Sequence, residues 1–249
     1  MQTTRYLKVL FPALAVLLPF LAPAQVLINE YSCANLDQFA DDFGKHEDWI
    51  ELYNTDSVAV DLGGYYLSDN KDKPTKWQIP TGVTIPAKGF LVFWASGRNV
   101  ASANDYHTNF KLSQTKNNPE TITFAKPNGI VTDQVKINKT KLHQSRGRIT
   151  DGNPQWAILT KPTLKASNNT SPNFAAYADR PDFDKPAGFY SDSVTITLTN
   201  NEPGATVRYT LDGKEPTVVS TLYTGPITLK STKVLKAAAF SPDSTILPG

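Results

Sequence analysis

The chain has 249 residues, 25 Lys and Arg against 23 Asp and Glu, and a single cysteine. That length suffices for two domains of ordinary size, and one cysteine excludes an internal disulfide framework. The near balance of charge argues against broad electrostatic attraction to nucleic acid or anionic membranes.

The first residues read as a secretory signal. Arg5 and Lys8 form a positive start, Val9 to Leu21 is apolar, and Ala22-Pro23-Ala24 is a small-residue cleavage site. Cleavage is expected between Ala24 and Gln25. The apolar run is shorter than the about 20 residues a membrane span needs, and Pro12 and Pro19 interrupt it as a helix. Loss of Arg5 and Lys8 would leave 23 basic against 23 acidic residues, a formal charge of zero. The expected product is exported, secreted or held at the cell surface, with no membrane span after signal removal and no nucleic-acid partner.

Beyond the signal, short runs with a period of two recur, separated by Gly, Pro, Asn and Asp, which is the pattern of an all-β sandwich or barrel. Strands are predicted at Val26–Tyr31, Trp49–Asn54, Tyr65–Ser68, Lys76–Ile79, Phe90–Trp94, Thr121–Phe124 and Val131–Ile137. Phe90–Trp94 is apolar throughout, so both its faces should be covered, as in a central strand. Asn128-Gly129 is expected to supply the positive φ angles of a tight hairpin. Cys33, just after the first strand, is expected as a free thiol near the core. The alternatives are an intermolecular bridge, a reactive nucleophile or a lipid attachment site.

Ser167-Asn168-Asn169-Thr170-Ser171-Pro172 has linker composition, and Asp179-Arg180-Pro181-Asp182 continues it. Alternation then restarts with Val194, Ile196 and Leu198, and again with Val207, Tyr209 and Leu211. Asp212-Gly213 turns the chain, Ile227 and Leu229 follow, and Lys233–Phe240 is the last clear strand, with no closing strand at Ile246-Leu247-Pro248-Gly249. The expected organisation is a signal peptide over 1–24, a first β-sandwich over 25–166, a linker over 167–182 and a second sandwich over 183–249.

Both halves resemble known families. Ile28-Asn29-Glu30, Asp48-Trp49-Ile50-Glu51-Leu52-Tyr53-Asn54, Leu62-Gly63-Gly64-Tyr65-Tyr66-Leu67-Ser68-Asp69, Trp77-Gln78-Ile79-Pro80, Phe90-Leu91-Val92-Phe93-Trp94 and Phe110-Lys111-Leu112-Ser113 run in the order of a bacterial secreted lamin-tail domain. The resemblance implies an immunoglobulin-like β-sandwich that serves as an interaction module. Gly188-Phe189-Tyr190, Val194 to Leu198, Arg208-Tyr209-Thr210-Leu211-Asp212-Gly213 and Leu222-Tyr223-Thr224-Gly225-Pro226-Ile227 resemble the chitobiase/β-hexosaminidase C-terminal-type domain. That family typically carries one more strand, so the second sandwich is expected to lack its last strand. The natural chain is expected to continue beyond residue 249.

No residue set with catalytic spacing stands out. His46, His107 and His143 are not spaced as a metal motif, and no nucleophile elbow or phosphate loop occurs. They are expected at surfaces or turns. Asp37, Asp41, Asp42 and Asp48, with Glu47 and Glu51 nearby, form the densest acidic stretch; oxygen-rich loops of this kind can hold calcium, and a solvated loop is the competing reading. Tyr65, Tyr66 and Trp156 are the candidates for an exposed aromatic platform against a polysaccharide or protein, while Trp77 and Trp94 are expected in the core. Adjacent Tyr65 and Tyr66 must point to opposite faces if they lie on a strand. The expected function is a non-catalytic binding and spacer region. The alternative is the accessory front part of a longer secreted enzyme, with a kinase-like or carbohydrate-active domain downstream.

Overall fold

A computed structural model describes residues 25–102 and 105–249. The segment read as a signal, Ala24 included, lies outside the described residues; Gln25 is exposed at the start of the fold. Among the described residues there is no α-helix, and no helix is long and apolar enough to cross a membrane.

The first domain contains β1 (Val26–Ser32), β2 (Trp49–Asn54), β3 (Val60–Asp61), β4 (Tyr66–Ser68), β5 (Trp77–Gln78), β6 (Thr84–Ile85), β7 (Phe90–Trp94), β8 (Val100–Ala101), β9 (Tyr106–His107), β10 (Thr121–Ala125), β11 (Val131–Lys136), β12 (Ser145–Arg148), β13 (Trp156–Leu159) and β14 (Asn173–Phe174). An eight-stranded sheet, ordered β14-β13-β12-β1-β2-β7-β9-β8, packs on a four-stranded sheet, β11-β10-β4-β5. Ile28, Tyr31, Ile50, Leu52 and Phe93 from the larger sheet meet Leu67, Trp77, Ile122 and Phe124 from the smaller one. Alternation explains this sidedness, because successive side chains leave opposite faces of a strand.

Phe90–Trp94 is central, as its composition implies. Leu91 and Phe93 face the inter-sheet core, while Val92 and Trp94 join Trp49 on the outer face under Phe39 and Leu164. The Asn128-Gly129 hairpin needs fewer positive φ angles than expected. Only Gly129 takes a positive φ, 81°, and a register shift beside Ala125 absorbs the extra residue. This is a turn followed by a left-handed glycine and a bulge, a pattern common in short hairpins. Strand β1 carries a second bulge, between Ile28 and Glu30. It places Ile28 and Tyr31 in the core and sends Glu30 to the outer face, which strict alternation would not do.

The polar segment read as a linker is part of the first domain. Residues 160–172 form a strap across the outer face of the large sheet, closed at its base by Thr160 N–H donating to the Pro172 carbonyl (3.2 Å). Asn173–Phe174 then adds to β13. Asn168 is fully buried, donating from Nδ2 to the carbonyls of Asn29 (3.3 Å) and Arg148 (3.0 Å). Gly147 makes room for it: a Cβ there would meet Leu159 Cδ1 at 2.5 Å and Asn168 Nδ2 at 2.9 Å. Gly147→Ala should therefore destabilise this domain by about 1–3 kcal/mol in a urea melt; an unchanged midpoint would mean that the strap is not seated there.

The second domain contains β15 (Ala176–Tyr177), β16 (Asp182–Phe183), β17 (Val194–Ile196), β18 (Leu198–Thr199), β19 (Thr206–Thr210), β20 (Thr221–Leu222), β21 (Ile227–Leu229), β22 (Lys236–Phe240) and β23 (Ile246–Leu247). The pairs β16-β18 and β17-β21 and the three-stranded β20-β19-β22 enclose a smaller core of Ile196, Leu198 and Ile227, flanked by Val207, Tyr209 and Leu235. Ile246–Leu247, expected to be irregular, is a strand. It pairs in parallel with β15.

Candidate functional site

Two polar clusters share the outer face of the large sheet. The first is the floor beneath the strap. Glu30 and Glu51 face each other across β1 and β2, and both are fully buried. Glu30 accepts from the Ser145 hydroxyl and from Thr163 N–H (3.0 Å), and Glu51 accepts from Lys165 N–H (2.6 Å). Burial disfavours the charged form. It pushes the Glu30 carboxyl up to about 7, against hydrogen bonds from Ser145 and Thr163 that lower it. It also raises Glu51 well above the usual carboxylate range, with the neighbouring Glu30 adding to the rise. Asp151 holds the strap's far side, accepting from Asn168 N–H (2.9 Å), from Asn29 Nδ2 (3.0 Å) and from the Ser167 hydroxyl.

The second cluster lies at the β7–β9 end. Parallel pairing sets His107 beside Trp94. Tyr106 turns inward against Phe93, with ring centroids 5.6 Å apart. His107 therefore faces outward, where the 39–45 loop covers it. That loop is shaped by two side chains. Asn35 Nδ2 donates to the carbonyls of Phe39 (2.7 Å) and Glu47 (2.8 Å). Asp41 Oδ1 accepts the N–H groups of Phe43 (2.9 Å) and Lys45 (2.8 Å). Under it, His107 Nε2 lies 2.8 Å from Asp42 Oδ1, and Nδ1 lies 3.0 Å from Ser96 Oγ. Asp105 Oδ2 accepts Asp42 N–H at 2.9 Å. The Phe43 ring closes one side, edge-on to the imidazole at 5.1 Å. Asp42 ionises more readily than an ordinary aspartate, held down by hydrogen bonds from Ser102 and from His107. Lys165 joins the two clusters, reaching Asp105 at 3.4 Å from the strap.

Ser96, His107 and Asp42 are the residue types of a nucleophilic relay, but their setting is structural. Ser96 is 4% exposed, and its hydroxyl already accepts Arg98 N–H at 3.2 Å. A nucleophile needs its oxygen open to a substrate carbonyl.

The structure disperses the acidic stretch singled out for calcium. Asp37 is exposed and pairs with His143 at 3.1 Å. Asp41 is spent on Arg98 at 2.8 Å. Asp48 sits apart, half-buried, its carboxyl raised to about 7 by burial despite a backbone hydrogen bond at Asn35. Only Asp42 belongs to the one group of metal-binding side chains found among the described residues, Asp42, Asp105 and His107, whose ligand atoms lie within 4.8 Å of one another. His107 is fully buried, not at a surface or turn. Asp105 directly precedes β9, so reading 105–107 as extended would have put it on the same face as His107; their closeness to Asp42 comes only from the fold.

The aromatic candidates do not form one platform. Tyr65 stacks on Phe124 at 5.3 Å, and half-buried Tyr66 accepts from Gln78 Nε2 at 3.1 Å. Trp156 packs on Tyr31 at 5.7 Å and lies under the Arg148 guanidinium at 5.1 Å, so its faces are engaged within the fold. Trp77 is in the core as expected. Among the described residues the most exposed aromatic ring is Phe189 in the second domain, next to Tyr190. Cys33 is a free thiol packed against the first core, its pKa raised well above the ordinary thiol value by burial and then by Asp48.

Residues 21–139 match the family model of the Lamin Tail Domain, and residues 185–245 match that of the Chitobiase/beta-hexosaminidase C-terminal domain. No curated protein matches the chain. The two matches fall in the order their motifs follow along the chain, the first taking in β1 to β11 and the second β17 to β22: the chain carries a lamin tail domain followed by a chitobiase/β-hexosaminidase C-terminal domain, both immunoglobulin-like.

Proposed function

We propose that the chain is a secreted or cell-surface binding and spacer region without catalytic activity of its own. The observation that carries this reading is the use to which its reactive side chains are put. Glu30, Glu51, Asp151 and His107 all hold loops onto the outside of one sheet, and Ser96 is buried against His107. Phe189, by contrast, stands fully in solvent beside Tyr190, whose hydroxyl donates to the Pro186 carbonyl at 2.6 Å. Rings displayed in this way suit contact with a sugar face or an extracellular protein.

A retention assay on insoluble cell-wall glycans and other polysaccharides tests the binding role. Folded protein should be retained on at least one of them, and Phe189→Ala with Tyr190→Ala should lower retention several-fold with an unchanged melting curve. Folded protein that passes every matrix would reduce the role to spacing. The accessory reading is favoured by the second domain's family, whose description names two glycosidases. It expects a catalytic domain encoded beyond residue 249, and reading the gene onward decides it.

A further inference from the structure

We propose that His107, Asp42 and Asp105 hold a divalent transition metal of the zinc type, with His107 Nε2 and the two carboxylates as protein ligands and water completing the shell. Neutral imidazole with carboxylate oxygens is a donor set that suits zinc, whereas calcium takes oxygen ligands.

Several independent features support the site. Its three ligand atoms already lie within 4.8 Å of one another. His107 is fully buried and Asp105 is 7% exposed, while the Asp42 side chain is 23% exposed and opens the cluster to solvent on one side. A metal site needs such an entry path. The second nitrogen of His107 is fixed by Ser96 Oγ at 3.0 Å. Metal-bound histidines characteristically have their other nitrogen held by such a partner, which sets the ring orientation. The Phe43 ring shields the imidazole from one side. The arginine nearby does not compete, because Arg98 is committed to Asp41 and Glu47 at 2.8 and 3.3 Å. Lys165, at 3.4 Å, is the cation that a metal would displace from Asp105.

Binding requires one rearrangement that can be observed. Without metal, Nε2 directs its hydrogen to the acceptor-only Asp42 carboxylate. With metal on Nε2, that hydrogen is gone, the imidazole hydrogen sits on Nδ1, and Ser96 Oγ becomes its acceptor. The serine hydroxyl fits both roles because it can donate or accept.

The experiment is a Zn²⁺ titration of chelator-treated, tag-free protein (residues 25–249), followed by calorimetry and by long-range ¹H–¹⁵N spectra of the three imidazoles. One equivalent should bind with a dissociation constant in the micromolar range or below. The His107 Nε2–H form should disappear at saturation, and excess Ca²⁺ should not compete. Asp42→Asn keeps an acceptor for Nε2–H and so preserves the loop; it should weaken binding at least about tenfold with an unchanged melting curve in metal-free buffer. Ser96→Ala should weaken binding by roughly 10–100-fold, as loss of an outer-shell partner does. The proposal is overturned by no saturable binding to folded protein, by equal affinity in Asp42→Asn, by a His107 spectrum that does not change at saturation, or by displacement of Zn²⁺ by Ca²⁺.

Discussion

The lamin tail domain should be markedly more stable at pH 5 than at pH 8. Glu30 and Glu51 lie side by side, fully buried beneath the 160–172 strap. Burial lifts the Glu30 carboxyl from the ordinary 4.5 to about 7 and raises Glu51 in the same direction. A carboxyl whose pKa is higher folded than unfolded binds more protons in the folded state. Its contribution is therefore complete below about pH 4.5 and is lost as the pH rises through about 7. For Glu30 alone the loss between pH 5 and 8 is about 2–3 kcal/mol. Glu51 and Asp48 act with the same sign. Urea midpoints for this domain should fall across that interval, and Glu30→Gln, which keeps the shape and removes the ionisation, should flatten the fall. A midpoint that stays level or climbs from pH 5 to 8 in the unmodified chain would show that the pair is ionised in the fold.

Removing the Arg148 side chain should be the most damaging single truncation on the polar side of this domain. Arg148 is 5% exposed. Its Nε donates to the Ile28 carbonyl (2.7 Å), Nη1 to the Asn153 carbonyl (2.6 Å) and Nη2 to Asp133 Oδ2 (2.8 Å). The same Asp133 oxygen accepts Ile28 N–H at 2.8 Å, so the ion pair bridges β12, β1 and β11. Deleting one partner of a buried pair strands the other, at a cost of about 3–5 kcal/mol. Arg148→Ala should show that loss in equilibrium unfolding. Arg148→Lys should restore only part of it, since an ammonium cannot occupy three divergent acceptors in one plane. Combining Arg148→Ala with Asp133→Ala should cost less than the sum of the two, the signature of direct coupling. Strict additivity would separate the two residues.

These networks also explain what could be read in the chain beforehand. Strands whose apolar residues face a core can announce themselves, as Phe90–Trp94 did on both faces, although the apolar Trp156–Leu159 went unread. Strand β12 did not, because Ser145-Arg-Gly-Arg148 has no apolar residue. Its burial is bought by the Arg148 ion pair and by the space at Gly147 into which Asn168 fits. Residues 167–172 read as linker for the same reason: Ser167 and Asn168 are polar because they serve a polar floor. Their partners, Asn29 and Asp151, lie 139 and 16 residues away in the chain. The grouping of Asp42 with His107 spans 65 residues. It depends on the parallel alignment of β9 with β7, which no local pattern encodes.

The pairing of β15 with β23 gives the second sandwich an unusual attachment. The polypeptide enters it through Ala176–Tyr177 and returns through Ile246–Leu247, heading the same way and one strand spacing, about 4.8 Å, to the side. The two strands clamp the first and last stretches of this sandwich side by side, so its intervening strands form one closed excursion from a single point. Insertions or exchanges in the strands between them would change what this sandwich displays and leave the paired strands where they are.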